Sequence, residues 1–401
     1  CSAGGGFMSS ATRLAPPSIP VWQKLDLKQK LTVDSSLMWA TIFLSVLGWL
    51  MVTSASMDWS ERHYGNSLHI SMRHGIYLLL GLMVAMIVVR IPLQWLRSLS
   101  AIFVVIALAS LILVLIPGIG KEVNGSMRWI SLGIMNVQPS EFAKIATVLY
   151  MASYLDRRRE EVQSKWSGFM KPLFVLSLLS ILLLLEPDFG AVVVLILSTL
   201  ALLFLGGVKA GQFILTAVVV ISASVLILIS QPYRLKRLTG YWEPWDAENV
   251  FGSGYQLTQS LIAFGRGEFS GVGLGNSIQK LFYLPEAHTD FVFAIWSEET
   301  GLLGAALIIA IFVFIFMKGM NLGRKAFAKQ QFFAAYVAYG MAMLIGFQAF
   351  INLGVNMGLL PTKGITLPFV SFGGSSLLAC SIAVALLLRV HHEMETAHDK
   401  K

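Results

Sequence analysis

The chain has 401 residues, 56% hydrophobic and 13% charged, with a formal net charge of +8. Its mean hydropathy of +0.70 exceeds what the core of a soluble domain needs and places the chain among polytopic membrane proteins. Two cysteines, Cys1 and Cys380, exclude a disulfide framework. Long apolar runs in place of short alternating segments exclude a β-barrel and leave helices, which satisfy their own backbone hydrogen bonds in lipid.

The opening CSAGGGF before Met8 reads as a cloning remnant. Residues from Ser9 to about Asp34 contain Pro and Ser, then Lys24, Lys28 and Lys30, with no cleavable secretory pattern. Apolar windows predict spans at 37–56, 75–91, 99–117, 140–155, 170–186, 189–207, 211–230, 290–317, 332–353 and 367–389. The expected fold is an all-α integral membrane protein of ten transmembrane helices with a large extracytoplasmic loop between helices 7 and 8. Its organisation is a tail over 1–36, a membrane domain over 37–389 containing the loop 231–289, and a tail over 390–401. Of the thirty Lys and Arg residues, nineteen fall on the side of the termini, ten on the other side, and Lys144 within a span. That bias predicts cytoplasmic termini and an external long loop. Positive charge so distributed is a topology signal and not a nucleic-acid surface.

The long loop is more than a linker, because ordinary connections are a handful of residues and long ones carry function or disorder. It opens on a basic cluster (Pro232, Tyr233, Arg234, Lys236, Arg237), passes Trp242 to Trp245, and becomes glycine-rich from Gly252 to Gly275. Tyr255, Leu257, Leu261, Ile262 and Phe264 predict a short amphipathic helix at the membrane interface.

Charged groups in an apolar field are functional candidates when they have partners. Glu141 and Lys144, three residues apart, share one helical face and can pair; a structural ion pair and a substrate role both fit. Glu186 and Asp188 lie in EPDFG, a turn between two spans where helix-end roles also serve. Asp290 follows His288 and Thr289 and precedes a span. It suits a helix N-cap, which accepts backbone hydrogen bonds, and equally a general base that takes a proton from a sugar hydroxyl at the membrane boundary. Glu298 and Glu299 lie about 12 Å deeper at 1.5 Å per residue, where they stabilise the bundle or line a polar cavity. Lys363 is the lone cation of the last outer loop; it serves as a snorkelling anchor or, beside the freed N–H groups of Gly373 and Gly374, as a phosphate contact. GxxxxGK[ST], HExxH, CxxC and GxSxG motifs are all absent, so nucleotide hydrolysis, zinc chemistry and serine hydrolysis lack support.

The segments GSGYQLTQS (252–260), FGRG (264–267), GLGNSIQK (273–280), LPEAHTDF (284–291) and PTKGITLPFVSFGGSS (361–376) resemble the SEDS family of cell-wall polymerases. Ala287 and Lys363 fit its division (FtsW) branch better than its elongation (RodA) branch. The similarity runs from about Asp34 to Arg389. It implies a peptidoglycan glycosyltransferase that polymerises lipid II at the septum, on the outer face of the bacterial cytoplasmic (inner) membrane. Asp290 then deprotonates the acceptor's 4-hydroxyl, and undecaprenyl pyrophosphate departs. Arg266 and Lys363 are the expected pyrophosphate contacts, with Arg128 and Lys144 behind them, and Glu141, His288 and Ser375 complete the substrate-binding set. A divalent cation (Mg or Mn) suits that leaving group, though no ligand cluster announces it. The implied partners are a class B penicillin-binding transpeptidase of the FtsI type and divisome regulators of the FtsQ, FtsL and FtsB types, among membrane lipids. The alternatives from other classes are a lipid II flippase and a non-catalytic scaffold. Glu186 stands where glutamine is frequent, Phe372 replaces a common tyrosine, and Trp296, Ser297 and Thr300 alter the segment after HTDF.

Overall fold

The computed structural model describes residues 31–396 except 124, 125, 132, 134, 230 and 231. Residues 1–30, where the opening CSAGGGF and most of the expected first tail fall, and the last five residues therefore lie outside the described residues, as do the side chains of Pro232, Tyr233, Arg234 and Arg237 in the expected basic cluster. Ten long helices occupy the ten expected windows: α1 (Ser35–Tyr64), α2 (His69–Val88), α3 (Leu93–Val114), α4 (Pro139–Arg157), α6 (Trp166–Leu185), α7 (Phe189–Leu205), α8 (Ala210–Ile229), α12 (Val292–Ala328), α13 (Phe332–Asn356) and α14 (Gly374–Thr396). Among the described residues, seven of them are long and apolar enough to cross a membrane on length and composition alone. Helix α7 and the apolar part of α8 are shorter, and α4 carries Glu141, Lys144, Asp156 and Arg157. The last helix is shifted from its window: it starts at Gly374 because the preceding residues form a loop, and it runs on past 389 to Thr396.

The bundle is apolar inside and out, so hydrophobic periodicity does not tell its layers apart. Of the most apolar stretch of α13, 78% is buried, and 67% of that of α14, against 22% for α2. Helix α13 is the hub, packed on α12, α4, α14 and α7. Small residues make this packing close: a Cβ on Gly319 would meet Ala342, one on Gly346 would meet Phe316, and one on Gly340 would meet Val148 and Leu202. Helices in lipid gain little from burying apolar surface against one another, so close backbone approach supplies the attraction.

Short elements gather at one end of the bundle. A small antiparallel sheet, β1 (Gly120–Val123), β2 (Ser126–Ser131) and β3 (Asn136–Val137), joins α3 to α4 and departs from the all-helical expectation. At the opposite end α5 (Arg159–Ser164) joins α4 to α6. Just under half of the long loop is helical, in α9 (Pro232–Trp242), α10 (Ala247–Val250) and α11 (Tyr255–Gly267), the last matching the expected amphipathic segment.

Helix α12 is broken at Gly301, whose φ of 68° and ψ of −162° are not helical. The loop makes good the lost intrahelical bonds. Leu302 and Leu303 N–H donate to the carbonyls of Glu268 and Phe269, and Val272 and Gly273 N–H donate to those of Glu298 and Glu299. Irregular backbone at this depth is tolerated because protein surrounds it. Glycine is required at 301, where a Cβ would lie 2.5 Å from the Gly271 nitrogen and φ is positive.

Candidate active site

Asp290 lies two residues before α12 and does not cap it. The cap position belongs to Phe291, with no side-chain cap bond, which removes the structural explanation for an aspartate here. The main-chain carbonyl of Asp290 accepts instead from Asn352 Nδ2 (2.9 Å) and Asn356 Nδ2 (3.0 Å) of α13. The Oδ1 of Asn356 takes the Ala294 N–H at 3.1 Å, acting as the missing cap from another helix. The Asp290 carboxylate faces Gly364, whose Cβ, were one present, would stand 2.7 Å from Oδ2. Burial and the carboxylates of Glu286 and Asp188 push the acid up to about 7 while Arg128 pulls it down. A carboxyl tuned to that range can accept a proton at neutral pH.

Three loops close around it. In the EPDFG turn, Asp188 caps α7 through Ala191 N–H (3.2 Å) and accepts from Gln138 and Ser140, each at 3.0 Å. Arg128, on β2, donates to the carbonyls of Glu186 (3.0 Å) and Pro187 (2.5 Å), so the sheet clamps this turn. Phe189 supports Lys363, whose Nζ stands 4.8 Å from the ring centroid. A Cβ on Gly190 would strike Ile365, so the turn and the 361–368 loop are in contact. His288 is buried between Trp59 (ring centroids 5.3 Å) and Phe372 (6.0 Å), and its carbonyl accepts from Phe372 N–H at 3.0 Å. Glu186 is fully buried, and neither carboxylate oxygen has a partner among the described residues. Burial and Asp188 push its acid up to about 8, against Arg128.

The other expected site residues divide between this centre and its supports. Lys144 and Glu141 do pair, at 3.0 Å and deeply buried. Lys144 also donates to Gln348 Oε1 (2.8 Å), and Gln348 Nε2 donates to the Thr366 carbonyl (3.1 Å), which links the pair to the 361–368 loop. Ser375 Oγ accepts from Gln138 N–H (2.9 Å) and donates to the Asn136 carbonyl (3.3 Å), fastening α14 to β3. Arg266 is engaged elsewhere: its guanidinium meets Glu298 at 2.8 Å, about 12 Å along α12 from Asp290 at 1.5 Å per residue. Glu298 also accepts from Ser277 Oγ and from the N–H groups of Ile278 and Gln279, while Glu299 accepts from Lys280 (2.8 Å) and Ser54 (2.7 Å).

Asn352 and Asn356 were absent from the expected set. A signal for them exists, since Gln348, Asn352 and Asn356 recur every four residues and form one polar stripe on an apolar helix. Among the described residues no group of three or more His, Cys, Asp or Glu could hold a metal ion, and the Asp188 oxygens are already engaged. A divalent cation here would therefore take most of its ligands from a bound pyrophosphate and water.

Known proteins resemble this chain over most of its length. The family described as cell cycle protein, comprising FtsW, RodA and SpoVE, matches residues 35–396. The probable peptidoglycan glycosyltransferase FtsW of Hahella chejuensis is 53% identical over 365 residues, covering 91% of each chain. That of Coxiella burnetii is 51% identical over 362 residues, 90% of this chain and 97% of its own. Among solved structures, a chain of a peptidoglycan synthase complex, described as coordinating polymerization and crosslinking, superposes with a TM-score of 0.74 at 27% identity, covering 91% of this chain and 99% of that one. The Rod shape determining protein RodA of Thermus thermophilus superposes at 0.67 with 25% identity, covering 90% and 98%. With its ten-helix bundle, its Asp290 centre and these relatives over nine-tenths of its length, the chain belongs to the FtsW, RodA and SpoVE family of SEDS membrane proteins.

Proposed function

We infer that this protein is a peptidoglycan glycosyltransferase that polymerises lipid II into septal glycan strands and releases undecaprenyl pyrophosphate. The observation that carries this reading is the Asp290 carboxylate, which caps no helix, accepts no hydrogen bond among the described residues, and is held by burial near neutrality. It takes the proton of the acceptor's 4-hydroxyl as that oxygen forms the new glycosidic bond, and the bond from the donor sugar to pyrophosphate breaks with its electron pair leaving on the phosphate. Lys363, on the 361–368 loop, and Arg128, on β2, supply positive charge for that leaving group, and Lys144 with Glu141 stiffens the wall behind them. The Arg266 ion pair with Glu298 supports a role in holding the loop ahead of a role on pyrophosphate.

The positive-inside bias supports an orientation with both termini in the cytoplasm and the Asp290 end outside the bacterial inner membrane. The likeness to a chain of a peptidoglycan synthase complex supports a partner, a class B penicillin-binding transpeptidase of the FtsI type, with FtsQ, FtsL and FtsB types as regulators.

The test is polymerisation of lipid II by purified protein, alone and with its transpeptidase, beside the Asp290→Asn version of each. Strands that require Asp290 are the expected result. Absence of strands together with transfer of labelled lipid II across liposome membranes would replace the polymerase by a flippase.

A further inference from the structure

The α13 stripe joins the loop that carries Asp290 to the loop that carries Gly364. Asn352 is 1% exposed, and its Nδ2 donates to the Asp290 carbonyl at 2.9 Å and to the Ile365 carbonyl at 2.6 Å. An amide nitrogen has two hydrogens, and both are spent, one on the loop that carries the carboxylate and one on the loop that carries Gly364. Asn356, fully buried one turn later, donates to the same Asp290 carbonyl and to the Asn352 carbonyl (2.9 Å), and its own carbonyl accepts from Ser260 Oγ at 2.7 Å. The separation of the two loops is thus set by one fully satisfied side chain, itself held by the next. Across the gap, Asp290 Oδ2 looks at the bare Cα of Gly364, at a distance that leaves no room for a methyl group. The φ of Gly364 is ordinary, so the obstacle to alanine there is the carboxylate, which must shift to admit a methyl, and not the backbone.

We propose that Asn352 and Asn356 are positioning residues for the base, and that they seat the Asp290 carboxylate in a slot against the bare Cα of Gly364, which fixes its oxygens where the attacking sugar hydroxyl must find them. This deepens the polymerase reading and rests on it. A base must come within about 2.6–3.2 Å of the proton it takes, and misplacement by about 1 Å costs on the order of 100-fold in rate. The asparagines act through the main chain of Asp290 and touch no reacting atom.

The experiment has two arms on the full-length protein with its transpeptidase. In the first, lipid II polymerisation is measured per folded molecule across pH. Gly364→Ala crowds the carboxylate off its place, and kcat per folded molecule should fall by about 100-fold or more. Asn352→Ala should lower kcat by about 10- to 100-fold with little change in KM. Asn352→Gln, which keeps the two donors, should recover part of the loss. In the second arm, infrared difference spectroscopy follows titration of the Asp290 carboxyl, its band identified by its absence in Asp290→Asn.

Glu286 on its own loop, Arg128 on β2, Asp188 on the EPDFG turn and Lys363 beside Gly364 are the charged groups around Asp290, with His288 two residues before it, and all are unchanged in these variants. Loosening the anchor admits water, so Asn352→Ala should lower the titration midpoint by about one pH unit, whereas the added methyl of Gly364→Ala should raise it. Wild-type kcat in Gly364→Ala, or an unmoved midpoint in both variants, overturns the proposal. If wild-type protein makes no polymer while both midpoints move as stated, the polymerase reading falls and the slot remains.

Discussion

The stretch from Asp290 to Glu299, which leads into α12, has carboxylates at both ends, and the two ends do opposite things. At the inner end, Glu298 and Glu299 each meet a cation and further hydrogen-bond donors, so every charge in the cluster is answered. At the outer end, Asp290 accepts no side-chain hydrogen bond among the described residues, and only its main chain is tied down. Both places are acidic, partly or wholly desolvated and close to membrane depth, so charge in an apolar setting does not by itself mark a catalytic group. On the proposed reading, Asp290, anchored through its backbone with its oxygens left free at the loop surface, is the base; Glu298 and Glu299, whose oxygens are engaged, are fasteners.

Exchanging the two behaviours gives the sharpest test. Asp290→Asn should lower polymerisation by about 10²- to 10⁴-fold, the usual worth of a general base, without loss of stability. A folded-state acid raised to about 7 contributes stability below its unfolded value that is lost as pH rises through about 7. Asp290→Asn should therefore melt close to wild type below about pH 4 and above it at pH 8, and a lower Tm at pH 8 would make Asp290 a structural residue. Glu298→Ala should do the reverse, costing about 3 kcal/mol because it strands Arg266, Ser277 and two backbone N–H groups, while activity per folded molecule survives. A large kcat loss in folded Glu298→Ala protein would erase the contrast.

Smaller effects follow from protonation. Because the base must be ionised, the rate should rise with pH to a plateau with a midpoint near 7, falling about tenfold per pH unit below it, and Asp290→Glu should move that midpoint. A pH-independent rate from 5 to 8 would remove Asp290 from proton transfer. The smallest change belongs to Glu186, an unpartnered acid pushed up to about 8. Its stabilising protonated form is lost as pH rises through that value. Glu186→Gln should leave Tm unchanged at pH 5 and raise it by a few degrees at pH 9, by differential scanning fluorimetry.

Much of this molecule is legible from its sequence because lipid imposes a simple rule on helix length. All ten windows hold a long helix, α11 answers its amphipathic pattern, and the spacing of Glu141 and Lys144 yields the ion pair it promised. The features that escape are those made by contacts between distant segments. The sheet is built from a four-residue, a six-residue and a two-residue strand with no clean alternation. The break at Gly301 looks like one glycine in an apolar run until the loop that completes its hydrogen bonds is in place. Arg266 seemed free for a phosphate because Glu298 lies 32 residues away. Asn352 and Asn356 were passed over because they bond to main-chain carbonyls, and a carbonyl carries no signature in the sequence.

The break at Gly301 also makes α12 a reporter of its own loop. In an uninterrupted helix, an amide proton is sheltered by the preceding turn; those of Leu302 and Leu303 are sheltered by Glu268 and Phe269 instead. Their exchange with deuterated solvent is therefore governed by the loop leaving its seat and not by melting of the helix. Two deuterons taken up deep in an otherwise protected span would count the openings of the 268–273 segment, with no substrate present and no label attached.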